Sequence, residues 1–158
     1  MKVIFTWKEL IVMNGITEIA RFPASCNVRN ELNGKRAKNE IIYTVPISGK
    51  PKPYYPRAFP GGMFEIIDIE YTDDPQYKPV KIKTTATREV FTWDLNINGN
   101  YWKPTGKTQM DSAYWLHYTK YKTTLGCIKI DNLNDALPFA QILERVLEHG
   151  ETIRLEVL

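Results

Sequence analysis

The chain has 158 residues, 43% apolar and 25% charged, with a formal net charge of +3. That balance excludes a disordered chain, and no apolar run reaches the roughly 20 residues that a membrane-spanning helix requires. Two cysteines and two histidines exclude a disulfide scaffold and match no zinc finger or ribbon spacing, so neither a metal nor another cofactor is expected.

Length predicts one domain over residues 1–158. Lys8 and Glu9 interrupt the first apolar run before an export signal can form, so no signal peptide is expected. Leu10 to Met13, Asn14-Gly15 and Ile16 to Phe22 read as a β-hairpin with a type I′ turn at Asn-Gly. Pro23 to Lys38 is polar and Asn-rich and reads as a surface loop, which contains Cys26. Cys26 has no histidine nearby in sequence, so a structural or incidental role is expected, and its replacement by alanine should be nearly silent. Ile41 to Val45 is a short apolar strand stopped by Pro46. Ser48 to Pro60 carries too much proline and glycine for a central strand or a helix.

Gly61 to Tyr71 is strand-like, Asp73-Asp74-Pro75 is a turn, and Val80 to Lys83 alternates. Phe91, Trp93, Leu95 and Ile97 alternate up to Asn98-Gly99, a second hairpin turn, and Tyr101-Trp102 starts the return strand. Lys103 to Met110 reads as loop. One helix is expected at 134–149. Asn134 is its N-cap, Phe139, Ile142, Leu143, Val146 and Leu147 make its apolar face, and Gly150 is its stop. Pro138 is tolerable there only in the first turn. Ile153 to Val157 closes the chain as a strand. The fold class expected is mainly β with one α-helix in the C-terminal half.

Chemistry concentrates between Leu116 and Ile130. His117 precedes Cys127 by ten positions, and Thr124-Leu125-Gly126 leads into the cysteine. A thiol becomes a nucleophile when a neighbouring imidazole takes its proton. Gly126, lacking a Cβ, lets the amides of Gly126 and Cys127 approach a reacting carbonyl as an oxyanion hole. Thr124 could hold His117 or the loop through its hydroxyl. The same residues also fit plain packing: a lone cysteine often serves as a small buried hydrophobe. His149 belongs to the helix C-terminus, where the macrodipole favours a cation.

Thr124-Leu125-Gly126-Cys127-Ile128-Lys129-Ile130, with His117 upstream, resembles the catalytic motif of the L,D-transpeptidase (YkuD-type) domain. Phe59-Pro60-Gly61-Gly62-Met63-Phe64-Glu65-Ile66 is similar to a second block of that family. Phe59 replaces a threonine, Leu125 a common histidine, and Tyr118 the usual glycine. The short His-to-Cys spacing is similar to that of compact relatives among toxin effectors and phage proteins. The resemblance implies a β-sandwich or barrel and a cysteine-dependent enzyme acting on peptidoglycan stem tetrapeptides through a thioester on Cys127. Transpeptidation, D-amino-acid exchange or carboxypeptidase action would follow according to the acceptor. His117 would be the base, and Gly126, Cys127 and Thr124 would complete the catalytic set. Substrate contacts are expected from Arg57, Tyr118, Trp115 and Lys129.

The site of action implied is the periplasmic cell wall, reached by a dedicated secretion machine. A secretion component or an immunity protein is then a possible partner, and neither nucleic acid nor membrane is expected. A non-catalytic cell-wall-binding module of a phage or secretion particle is the alternative. A papain-like hydrolase fits less well, because those enzymes place the cysteine before the histidine. Tyr114, Trp115, Tyr118 and Tyr121 among lysines could stack on single-stranded nucleic acid, but no binding motif accompanies them.

Overall fold

The computed structural model describes residues 1–28, 31–32, 35–36, 42–43, 53–54, 58–96 and 101–158. The protein is mainly β with a single helix near the C-terminus. Its strands are β1 (Lys2–Phe5), β2 (Glu9–Asn14), β3 (Thr17–Ser25), β4 (Glu31–Leu32), β5 (Lys35–Arg36), β6 (Ile42–Tyr43), β7 (Pro53–Tyr54), β8 (Gly62–Tyr71), β9 (Val80–Thr84), β10 (Arg88–Asn96), β11 (Tyr101–Asp111), β12 (Leu116–Tyr118), β13 (Ile128–Ile130) and β14 (Ile153–Val157). The helix α1 spans Leu133–Glu148.

Eight of these strands close a barrel in the order β1-β14-β8-β9-β12-β13-β3-β2. Closure removes the free sheet edges that would otherwise invite pairing with another chain. Alternation decides the inner face. Val3 and Phe5, Leu10 and Val12, Val80 and Ile82, Ile128 and Ile130, and Ile153, Leu155 and Val157 all point into one buried core. Helix α1 adds Ala136, Phe139, Ala140 and Leu143 to the same core, with the Phe139 ring 5.3 Å from that of Phe22. Ile142, Val146 and Leu147 flank it.

Most pairings are antiparallel, but β1–β14 and β12–β13 run parallel. The second of these positions the candidate site. The Thr119–Cys127 connection returns the chain to the same end of the sheet, so β12 and β13 are neighbours without being a hairpin.

Several sequence expectations change. The first hairpin forms, but Asn14 pairs with Thr17 and the turn is Gly15-Ile16. Only Gly15 there has positive φ, at 61°, so the turn is not type I′, which needs two such residues. Pro23 to Ser25 extends β3, and Cys26 is buried in the core instead of lying in a surface loop. The stretch Lys103 to Met110 is strand, not loop, because β10 supplies a partner along its length. Pro104 is accepted there because a two-stranded ribbon leaves one edge unpaired, and the register shifts between Phe91 and Trp93 opposite it. Of the strand expected at Ile41–Val45, Ile42–Tyr43 is seen, paired with Pro53–Tyr54. The Asn98-Gly99 turn lies outside the described residues.

The N-cap of helix α1 lies two residues earlier than expected, at Asn132 rather than Asn134. Pro138 therefore lies beyond the first turn, where proline removes a helical hydrogen bond. Burial of the Phe139 and Leu143 stripe offsets that loss. At the other end Gly150 N–H donates to Leu147 O (3.0 Å) and Glu151 N–H to Val146 O (3.2 Å), a complete Schellman closure. His149 Nδ1 bonds Arg145 O at 2.6 Å, so this histidine belongs to the helix end, as its position in the sequence suggests.

Candidate active site

The outer face of β9, β12 and β13 carries the candidate chemistry. On β12 Leu116 points inward, so Trp115 and His117 point outward. Antiparallel pairing sets His117 opposite Lys81, and parallel pairing sets it opposite Lys129. Leu116 pairs with Ile128, which puts Trp115 beside Cys127 one step along. His117 and Cys127 thus share one face of adjacent strands, diagonal to each other.

Cys127 lies just before β13, ending a loop of constrained shape. Gly126 has φ +130°, a conformation that L side chains rarely adopt, so glycine is required there. Thr124 ties the loop: its hydroxyl donates to Cys127 O at 2.7 Å and accepts from Gly126 N–H at 3.2 Å. Its own N–H donates to Asn27 O at 2.8 Å. Thr124 therefore holds the loop, not His117. Beneath it, Cys26 donates its S–H to Gly126 O at 3.4 Å and accepts from Phe59 N–H at 3.3 Å. Through that contact Phe59 braces the cysteine loop.

The Cys127 sulfur accepts from Trp115 N–H at 3.4 Å and faces Ala113 O at 3.7 Å. Burial, with a smaller contribution from Asp111, pushes this thiol up to about 11, against a lowering by the Trp115 N–H. His117 is buried, and Nδ1 lies 2.9 Å from Tyr118 O. A carbonyl can only accept, so Nδ1 carries the proton and Nε2 presents its lone pair. Burial, aided by the Lys81 charge, holds the imidazole below its ordinary value of 6.5 against that hydrogen bond. At neutral pH the site therefore holds a thiol and a neutral imidazole, not a preformed ion pair. Such a pair suits general-base catalysis, in which the proton leaves sulfur as the sulfur attacks. No hydrogen bond joins His117 and Cys127 in the resting arrangement among the described residues.

Other expected site residues divide. Trp115 is half-buried beside Cys127, under Lys81 Nζ at 4.7 Å and Lys83 Nζ at 5.8 Å from its ring centre. Lys129 stands next to His117. Tyr118 follows His117 on the strand; it is half-buried and packs against the core, and its carbonyl anchors the imidazole. The Gly126 N–H is occupied by Thr124, leaving the Cys127 N–H, which has no acceptor among the described residues, as the available oxyanion donor. Arg57 lies outside the described residues.

Sequence reading missed Tyr77, Lys81 and Lys83. The two lysines are the outward positions of the alternating β9, and Glu70 pairs with both, at 3.5 and 2.8 Å. Tyr77 is an aromatic residue inside an otherwise polar turn, and only the fold places it against His117 and Trp115. Among the described residues no cluster of side chains could hold a metal ion. No family model, curated protein or solved structure matches this chain.

Proposed function

We propose that the protein is a cysteine-dependent acyl-transfer enzyme acting on peptidoglycan stem tetrapeptides, with Cys127 as nucleophile and His117 as base. The observation that carries this reading is the shared outer face of Cys127 and His117 on adjacent parallel strands, with the imidazole tautomer set by Tyr118 O. The motif resemblance supplies the substrate class.

In this mechanism the Cys127 sulfur attacks the carbonyl of the third stem residue while its proton passes to His117 Nε2. The oxyanion forms against the Cys127 N–H. The C–N bond breaks, terminal D-alanine leaves with the proton returned from His117, and a thioester remains on Cys127. An incoming amine or water gives its proton to His117 and attacks the thioester, and the thiol is restored. An amine on another stem gives a cross-link, a free D-amino acid gives exchange, and water gives carboxypeptidase action. The step requires the His117 or Cys127 side chain to move into contact as substrate displaces the sulfur from Ala113 O; catalytic hydrogen bonds often tighten only in the substrate complex.

The test is purified protein incubated with disaccharide-tetrapeptide and followed by mass spectrometry. Wild type should release D-alanine or form exchanged or dimeric product. Cys127→Ala should do neither while melting at nearly the same temperature. A carbapenem should add covalently to Cys127, as the resemblance implies. If wild type and Cys127→Ala bind peptidoglycan equally and neither alters it, the protein is a wall-binding module of a phage or secretion particle instead. Delivery to the periplasm by a secretion machine, with an immunity protein as partner, follows from the enzymatic reading.

A further inference from the structure

The turn between β8 and β9 is fixed by its own hydrogen bonds. Thr72 N–H donates to Pro79 O at 3.0 Å across the neck. Inside it Asp74 O accepts from Tyr77 N–H (3.0 Å) and Lys78 N–H (2.8 Å), and Asp74 Oδ1 accepts from Gln76 N–H (3.0 Å). This rigid platform lays Tyr77 across the outer face of β12. Its ring lies 5.0 Å from the His117 ring at 80° and 5.5 Å from the Trp115 ring at 65°, both edge-to-face contacts. Lys81 Nζ sits 4.8 Å from the Tyr77 ring centre and closes the other side.

His117 is anchored at Nδ1 by Tyr118 O, but one hydrogen bond leaves the ring plane free to swing. Its burial on the outside of a barrel also needs a cover. Tyr77 supplies both a second anchor and the cover. We propose that Tyr77 is a positioning residue of the Cys127–His117 site, whose ring seats the imidazole with Nε2 available to Cys127 and excludes water from it. This rests on the acyl-transfer reading above. The phenol hydroxyl has no partner among the described residues, so the ring is the active part.

The titratable groups facing His117 are Lys81 from β9, itself paired with Glu70 of β8, Lys129 and Cys127 from β13 and its approach, and Tyr77 with Asp74 from the turn. Tyr77→Phe leaves all of these charges in place and keeps the ring. Tyr77→Ala removes the cover.

Turnover on disaccharide-tetrapeptide and the NMR titration of His117 should be measured on the full chain. Tyr77→Phe should match wild type within about twofold in kcat, since the ring contact survives. Tyr77→Ala should lose about 10²-fold in kcat with KM little changed, and the His117 midpoint should rise toward 6.5. Tyr77→Leu, which keeps bulk without an aromatic edge, replaces the alanine variant if that fails to fold and should move both readouts in the same direction. An alanine or leucine variant with unchanged kcat and unchanged His117 midpoint overturns the proposal. So does a Tyr77→Phe variant as damaged as Tyr77→Ala, which would assign the role to the hydroxyl. Should wild type show no turnover, the acyl-transfer reading falls, yet the titration still decides: a midpoint raised by Tyr77→Ala and not by Tyr77→Phe keeps Tyr77 as the residue that seats His117.

Discussion

Thr124 and Cys26 hold the Gly126–Cys127 segment by different groups, Thr124 through the Gly126 N–H and the Cys127 carbonyl, Cys26 through the Gly126 carbonyl. Cys26 is fully buried, and its sulfur also receives the Phe59 amide. Replacing it with alanine weakens two buried backbone groups, each at a cost of about 1–3 kcal/mol when left unsatisfied. Sulfur hydrogen bonds are weak, so the expected loss for Cys26→Ala is about 1–3 kcal/mol in total, read as a lower urea midpoint. An unchanged midpoint would mean the neighbouring chain closes over the gap. The expectation from sequence was a structural or incidental role, with this replacement nearly silent in turnover, and a loss of stability is compatible with it. What sequence could not supply is that β3 continues past Pro23 and carries Cys26 under the Gly126–Cys127 loop. His117 and Cys127 could be singled out as a candidate pair from residue type and spacing, and the parallel pairing of β12 with β13 puts them on neighbouring segments. Tyr77 was not read as part of the site, since its role comes from a fold contact between a turn and a strand far from it in the chain.

At the scale of elements, period and punctuation carried most of the fold. Two-residue alternation marks β9, β10 and β14, and the spacing from Phe139 to Leu147 marks α1. The strands read as loop share a cause: where a partner strand overrides local composition, as β10 does for Lys103 to Met110, proline and glycine mislead. The helix end shows the opposite case, in which local chemistry suffices. Gly150 has φ 73° and no atom within 4 Å of where a Cβ would stand, so only backbone conformation resists substitution. Gly150→Ala should cost about 1 kcal/mol, the penalty for holding an L-residue left-handed. Thermal melts of the two proteins test this, and an unaltered melting temperature would show that the Schellman closure adds nothing to α1.

For the molecule as a whole, the buried His117 and the half-buried Cys127 each contribute to how stability responds to pH. His117 stays neutral in the fold below the pH at which it protonates in the unfolded chain, 6.5. The unfolded state then binds the extra proton, so stability falls as pH drops from about 6.5 through the lower folded value. Cys127 has its folded value raised from 9.0 to about 11. Its contribution is whole below 9.0 and is lost as pH rises through about 11, because the unfolded chain ionises first. Urea midpoints across pH should therefore form a plateau between these limits. Cys127→Ala should remove the alkaline fall it causes and leave the acid fall, and a variant curve identical to wild type would assign the alkaline loss to other groups.

The parallel pairing of β1 with β14 has a mechanical consequence. Lys2 aligns with Arg154 and Phe5 with Val157, so the two strands run the same way along the barrel wall. Tension applied between Lys2 and Val157 pulls the strands past each other along their length. Every hydrogen bond of the pair is loaded at once, instead of one after another as when a hairpin is peeled open from its ends. Trp7 Nε1, bonded to Leu158 O at 2.6 Å, adds a side-chain latch to the same seam. The seam between the first and last strands of the barrel therefore resists stretching along this axis by shear.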